Sequence, residues 1–464
     1  MTDHDPSVAV APLRRDLGGG LLLRRAAPAD AEALAEFNAT VHGDPETGQT
    51  DPAIAVWVRD LLERPHPTFR PDLFTVVEES ATGKIVSSLN LIPQTWSYEG
   101  IAFGVGRVEL VGTVPEYRRR GLVKTQMDVA HGWSAALGHL AQGITGIPWY
   151  YRQFGYEMTL TLDGNHRVET HAVPALPDGE PEPFRVRPAT PGDLPFVAAV
   201  DERARGRYLV TCERDAAMWR YELDGRSQVP EGHRVVLHLI EAAGDGDGAG
   251  RPVGYVAPLS GLYGTTLAVT AFELAAGESW LAVAPSVLRA LKAIGEGYGA
   301  AGTILHAESK PGPCHRLMFD WAVEHPLQTA FPRLVRFGDA PYAWYLRVSD
   351  LPAFLLRIAP TLEARLAASV AAGHTGSLTL GFYRGGVELT FAGGRLTDVS
   401  PWHGEWFAAD ARFPDLTFLH LLFGHRSLEE VRFVFPDAGA RTDAAKALLP
   451  ALFPKRPSLV WPVG

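Results

Sequence analysis

The chain has 464 residues, 46% hydrophobic and 21% charged, with a formal net charge of −10 at pH 7. That length suggests about three domains, and the negative balance argues against a nucleic-acid partner, whose binding rests on phosphate neutralisation, while suiting a cationic one. No apolar run is long enough to span a membrane and residues 1–6 lack the start of a signal peptide, so a cytoplasmic setting is the default. Cys212 and Cys314 lack metal-site spacing; no metal is expected and both read as reduced thiols.

Residues 1–20 are polar, then proline- and glycine-containing, and read as a flexible arm. A short strand at 21–25 leads to Pro28 and Asp30, which open a helix through Phe37 because proline and an acid suit a first turn. Helical patterning returns at 54–62, followed by strand patterns at 73–78 and 84–92 joined as a hairpin.

The informative stretch comes next. The apolar run from Val108 to Val114 is strand-like, breaks at Pro115, and passes through Arg118-Arg119-Arg120-Gly121 into a helix with Leu122, Val123, Met127 and Ala130 near helical spacing. A strand, a tight basic turn and a helix N-terminus together offer backbone N–H groups and positive charge, which suit a pyrophosphate. The run Arg118 to Val123 resembles the acyl-CoA signature Arg/Gln-x-x-Gly-x-Gly/Ala of the GNAT superfamily of N-acetyltransferases, departing from it at Val123. About thirty residues later Tyr151-Arg152-Gln153-Phe154-Gly155-Tyr156 resembles the family's Tyr-x-x-x-Gly-Phe/Tyr element.

The segment Arg24-x-Ala26-Ala27-Pro28-Ala29-Asp30 is echoed by Arg187-x-Ala189-Thr190-Pro191-Gly192-Asp193 beyond a proline- and acid-rich linker, 174–183. This predicts a first domain at 21–173 and a second copy at 184–340. Where the basic turn should recur the second copy reads Ala275-Ala276-Gly277-Glu278-Ser279-Trp280, with an acid and no arginine; we expect the fold without the phosphate site. The acidic loop at Asp245 and Asp247 lacks the glutamate that would close a calcium loop and reads as a plain hairpin. From 341 to 464, helical patterning, three alternating strands and two further helical stretches resemble a sterol-carrier-protein-like domain. The fold class expected is therefore α/β (α+β): two tandem GNAT folds with central mixed sheets, then a sterol-carrier-like α+β domain. The whole order resembles the Eis (enhanced intracellular survival) family of acetyltransferases.

The resemblance implies acetyl-CoA as cosubstrate, paired along Val111, Gly112 and Thr113 as an added strand pairs, with its pyrophosphate on Arg118, Arg119, Arg120, Gly121, Leu122 and Val123. A bulge permitted by Gly112 would open the slot. Tyr151 is the implied general acid, with a packed aromatic as the alternative. For the base, Glu109 shares a strand face with Thr113 if no bulge intervenes; the resemblance implies instead the carboxylate of Gly464, at the end of the apolar tail Leu459-Val460-Trp461-Pro462-Val463. Asp44, Glu46, Trp57 and Trp96 fall in segments that roof GNAT acceptor pockets, or equally in a loop and a core. His131 reads as a helix-surface histidine. The function expected is N-acetyl transfer to a primary amine of a cationic small molecule, aminoglycoside- or polyamine-like, or to a lysine side chain; a non-catalytic acyl-CoA or lipid sensor and a transferase of longer acyl groups stay open. The resemblance also implies a homo-oligomer, such as a hexamer.

Overall fold

The computed structural model of the protein describes residues 13–162, 165–243, 250–305, 312–321, 324–338 and 342–464. In chain order the strands are β1 Arg14–Gly18, β2 Leu21–Arg25, β3 Phe74–Glu79, β4 Ile85–Tyr98, β5 Ile101–Thr113, β6 Ala141–Ile144, β7 Glu157–Leu162, β8 Asn165–Glu169, β9 Phe184–Pro188, β10 Val210–Cys212, β11 His238–Ala242, β12 Arg251–Pro258, β13 Thr266–Leu274, β14 Arg316–Asp320, β15 Arg336–Phe337, β16 Tyr342–Val348, β17 Gly376–Phe382, β18 Gly385–Ala392, β19 Arg395–Trp402, β20 Ala411–Phe413 and β21 Gly439–Ala440. They form three sheets: β1-β2-β3-β4-β5-β6-β16-β7 with β10 added to β4, then β15-β8-β14-β13-β12-β11-β9, then β19-β18-β17-β20-β21. The helices that matter for the site are α1 Ala31–Val41, α2 Pro52–Glu63, α3 Leu122–Ala136, α4 Leu194–Arg205, α5 Ala216–Arg220 and α6 Trp280–Ala301. Among the described residues no helix is long and apolar enough to cross a membrane.

The repeat seen in sequence is a repeat in space. The order β2-β3-β4-β5-β6 is reproduced by β9-β11-β12-β13-β14, and each series ends on a parallel pair, β5 with β6 and β13 with β14. The matched arginines do the same work: Arg24 bridges Asp30 at 2.8 Å and Glu78 at 2.7 Å, and Arg187 bridges Asp193 at 2.8 Å and Glu241 at 2.9 Å. In each copy the aspartate also accepts from a backbone N–H at 2.7 Å, Ala27 in one and Thr190 in the other. A bidentate, charge-assisted clamp fixes where the first helix leaves its strand, which is why this short motif recurs where the basic turn does not.

Sheet membership crosses the boundaries expected from sequence. Residues 1–12 lie outside those described, but Arg14–Gly18, expected to be part of a flexible arm, forms β1, paired with β2 through a Gly18-Gly19-Gly20 turn whose three glycines all have positive φ. Strand β8, placed by sequence in the first domain, pairs with β14 and β15 of the second sheet. Strand β16, expected to start the third unit, inserts antiparallel between β6 and β7, where Trp344, Tyr345 and Leu346 are buried. Propensity marks both segments as strands; the partner is set by which edge stands open, and a single sequence does not carry that. The acidic loop at Asp245 lies outside the described residues.

The β4–β5 hairpin turns on Glu99 and Gly100, both with positive φ, as the two-residue turn matching strand twist requires. Its tip is buried by the third unit: Trp96, Tyr98 and Phe103 share one apolar cluster with Phe354, Leu362 and Phe423, and Tyr98 Oη donates to the Leu422 carbonyl at 2.7 Å. Nearby, His420 and His425 stack with their Nδ1 atoms 3.3 Å apart. Burial, and for His420 also its histidine neighbour, pushes them down to about 3 and about 4. Their folded values lie below the unfolded value of about 6.5, so between those limits the unfolded state binds more protons and stability is lost as pH falls. The melting temperature should therefore drop between pH 7 and pH 5, and His420→Phe should shrink that drop; a melting temperature constant over this range would contradict the burial of these rings.

Candidate active site

Strands β5 and β6 pair at three positions only, Val105↔Ala141, Gly106↔Gln142 and Arg107↔Gly143. Residues 108–113 of β5 continue past the end of that pairing, so the two strands part and leave one edge of β5 open. Across β5 the register with β4 jumps from Ser88↔Gly112 to Asn90↔Glu109, which inserts one extra residue. Leu110 carries the irregularity at φ +53, a left-handed conformation rare for a branched side chain. The sequence placed this bulge on Gly112. That glycine serves packing instead: a Cβ there would meet Val41 Cγ1 at 2.9 Å and Phe37 at 3.3 Å, so its absence lets α1 close on the strand. Because the bulge intervenes, Glu109 and Thr113 lose the shared face of a regular strand. Thr113 is buried with its hydroxyl 2.7 Å from Ser87 Oγ, while Glu109 pairs with Arg107 at 2.7 Å.

The opened edge runs into the basic turn. Arg118 Nε donates to the Thr113 carbonyl at 3.2 Å, and Arg120 lies over the Tyr117 ring at 4.7 Å and donates to the Glu116 carbonyl at 3.1 Å. Arg119 and Gly121 both have positive φ, +62 and +75, a backbone habit that turns amide N–H groups into a common concavity. Gly121 then starts α3 with no side chain capping it, leaving the N–H groups of the first turn unclaimed by a cap. Leu122 is buried in one apolar cluster and Val123 packs at the margin of another. Val111 to Val123, expected from sequence as one binding surface, thus form one continuous path of strand edge, turn and helix start.

On the inner side Tyr151 is 4% exposed in a short 3₁₀ segment, Tyr150–Phe154, with Tyr150, Tyr345 and Tyr156 rings at 5.1, 5.6 and 6.3 Å. Burial, and then the Glu109 charge, raise its phenol above the ordinary value, so the ring is neutral at pH 7 and carries a proton. Tyr156 bonds His131 at 2.8 Å. His131, expected on the helix surface, is partly buried, and burial lowers it to about 4; it is a neutral partner to a core hydroxyl.

The tail enters from the other side. Gly464 sits between Trp57 and Arg107, where a Cβ would meet Arg107 Nη1 at 2.9 Å and the Trp57 ring at 3.3 Å. The carbonyl of Val463 accepts from Gln94 Nε2 at 2.7 Å and from Arg107 Nη1 at 3.4 Å. Arg107 thus touches both base candidates, Glu109 directly and the chain end through its last peptide. Trp57, Asp60, Arg107, Arg226 and Gly464 wall an open cleft. Of the other expected acceptor residues, Trp96 is fully buried and donates to Gln94 Oε1 at 2.8 Å, a core position. Asp44 accepts from Glu46 N and from Thr47 Oγ1, both at 2.7 Å, ordering its own loop, and neither Asp44 nor Glu46 lines this cleft. Arg107 and Gln94 were missed; the available signal was an arginine two residues before Glu109, on the same strand face, and a long amide in a strand of mostly apolar and small residues.

The second copy keeps the bulge, with Ala257↔Ala271 followed by Pro258↔Val269, and closes the slot. Trp321 stacks between Phe319 at 4.4 Å and His325 at 3.8 Å, and His325 Nε2 donates to the Phe272 carbonyl at 3.2 Å on the strand that would otherwise present it. Ser279 caps α6 through Ala282 N at 3.4 Å, and Glu278 pairs with Arg251 at 2.5 Å. Aromatic rings and a cap occupy what the first copy leaves open.

Residues 23–159 match the family model described as acetyltransferase (GNAT) domain. No curated protein sequence matches the chain. Among solved structures, a GCN5-related N-acetyltransferase from Kribbella flavida is 16% identical over 96% of this chain and 100% of its own, with a TM-score of 0.63. One from Anabaena variabilis is 16% identical over 95% and 98%, at 0.60, and Eis1 from Mycobacterium abscessus is 15% identical over 94% and 98%, at 0.57. At such identities the likeness is one of fold, and it extends over nearly the whole chain. The bulged strand, basic turn and buried tyrosine all lie within residues 23–159, the stretch that matches an acetyltransferase (GNAT) domain, and that match makes the protein an acyltransferase.

Proposed function

We propose that the protein moves an acetyl group from acetyl-CoA to a primary amine of a small cationic acceptor. The observation that carries this reading is a buried, proton-bearing Tyr151 within electrostatic reach of Glu109, on the strand whose edge is open from residue 108 to 113. In this reading the opened edge at Val111, Gly112 and Thr113 pairs with the pantetheine amides, and the turn from Arg118 to Val123 takes the diphosphate through N–H groups and guanidinium charge.

The amine nitrogen attacks the thioester carbonyl, the tetrahedral intermediate collapses with cleavage of the C–S bond, and the phenol of Tyr151 gives its proton to the departing thiolate. A phenol with a raised value is a weaker acid in bulk terms, but it stays protonated until the thiolate forms, which is when the proton is needed. The attacking nitrogen loses its proton to a carboxylate. Glu109 is already paired with Arg107, so we assign the proton to the carboxyl end at Gly464. Trp57 supplies an aromatic wall for an ammonium acceptor and the carboxyl end at Gly464 the facing negative charge, since Asp60 in the same cleft is already held by Arg64 at 3.1 Å and by the Ser227 N–H at 2.9 Å.

A panel of amines with acetyl-CoA and a free-thiol readout tests the proposal, with amine-dependent thiol release expected. Tyr151→Phe should lower kcat by about 10²–10⁴-fold, the usual worth of a positioned acid, with little change in the KM for acetyl-CoA. Replacing Arg118 and Arg119 together by alanine should do the reverse and raise that KM with the melting temperature unchanged. A chain that binds acetyl-CoA but releases thiol with no amine would favour the sensor reading instead.

A further inference from the structure

The second copy closes its own slot, yet it is joined to the first copy's cleft through the end of the chain. From Pro457 the backbone runs beside β10: Leu209 N donates to the Pro457 carbonyl at 2.8 Å, Leu459 N donates to Val210 O at 3.0 Å, and Thr211 and Leu459 form a parallel bridge. Trp461 then lands on the second copy. Its ring meets Trp219 edge-on at 5.6 Å, the Arg214 guanidinium lies over it at 3.7 Å, and Arg214 Nε donates to the Trp461 carbonyl at 3.2 Å. Past it, Val463 packs with Met218 and Tyr221 while its carbonyl takes the Gln94 amide from β4.

Arg214 is a conspicuous residue to find there. Its side chain is 1% exposed, its charge is met by Glu222 at 3.3 Å, which also serves Arg226, and its Nη1 has no partner among the described residues. Burying a guanidinium is costly and a hydrophobic replacement is often neutral or better for stability, so stability alone does not account for it. What the flat guanidinium does, and an aliphatic chain or an ammonium does not, is stack on Trp461 and hold its carbonyl in one rigid placement. The cavity it faces is lined by Thr270 and Ala271 at the bulge of β13, by Glu273 and Trp321, and by Leu459 and Trp461 of the tail. Thr270 stands at the bulge of β13 as Leu110 stands at the bulge of β5.

We propose that the second copy is the receptor for the chain's own tail, and that Arg214 is a positioning residue which carries Val463 and Gly464 into the first copy's cleft. The proposal rests on the acetyl-transfer reading of that cleft for its effect on rate, though not for its effect on the tail.

Two measurements on the full-length protein test it, using Arg214→Ala, Arg214→Lys and the milder Trp461→Ala. In steady-state kinetics both alanine variants should lose about 10- to 100-fold in kcat, since a 1 Å misplacement near reacting groups can cost about a hundredfold, with the KM for acetyl-CoA within about twofold; lysine should recover only part of the loss. In carboxypeptidase digestion followed by intact mass, the wild-type tail should resist, and both alanine variants should lose their last residues at least about tenfold faster, as a weakened local opening equilibrium dictates. Wild-type kcat in both alanine variants, or equal digestion rates, would overturn the proposal. If the wild type acetylates no amine but the digestion rates still separate, the receptor role stands and the acetyl-transfer reading is what fails.

Discussion

One irregularity in one strand governs the working half of this molecule. At Leu110 the backbone enters the left-handed region and adds a residue to β5, at a cost of order 1–3 kcal/mol for a non-glycine residue. Leu110 is 4% exposed, and burying such a side chain contributes about 1.5–3 kcal/mol, so the core that receives the side chain holds the strand in its bent course. Pairing of β5 with β6 ends at Arg107, just before the bend, and an open row of backbone donors and acceptors is left along the bent strand. A sheet edge of this kind demands a partner. An acyl-CoA, with amides along its arm and a diphosphate at the far end, has the chemistry to meet the strand edge first and the helix start second.

The two copies show that the bend alone does not make a site. Both have it. In the second, Trp321 and His325 fill the gap, His325 satisfies the Phe272 carbonyl, and Ser279 with Glu278 occupies the helix start. The same backbone is thus left open where the turn is basic and uncapped, the place we propose for the cosubstrate, and is a packed wall where the turn is acidic and capped. What remains of the second site faces the tail, which passes from one copy to the other and ends between Trp57 and Arg107.

Much of this was legible in the residues. The Arg/Asp clamp repeat marked two copies because a bidentate ion pair at fixed spacing needs the same six-residue separation wherever it is used. The basic turn stood out because a strand, a proline break and three arginines before a glycine suit an anion site, and Tyr151 stood out only through its resemblance to the GNAT Tyr-x-x-x-Gly-Phe/Tyr element. Other features were not legible. The bulge was placed on Gly112 because glycine is the usual carrier of positive φ, whereas burial of a leucine can hold that conformation and the glycine was needed by α1. For Trp96, Asp44 and Glu46 pocket and loop or core stayed equally open, because composition does not distinguish an aromatic in a cleft from one in a core, as Trp96 is, or an acid facing a substrate from one ordering its own turn, as Asp44 does. The strands β8 and β16 exchanged sheets because local pattern gives a strand its existence and only the assembled sheet gives it a neighbour.

The central claim is that the opened edge of β5 and the turn after it hold the cosubstrate. A crystal structure of the protein with acetyl-CoA tests it most directly. The account predicts the pantetheine arm alongside residues 111–113, the diphosphate over the N–H groups from Arg119 to Val123, and the thioester sulfur facing the Tyr151 hydroxyl. Acetyl-CoA bound at another surface, or a turn from 118 to 123 left without contact to the diphosphate, would contradict it.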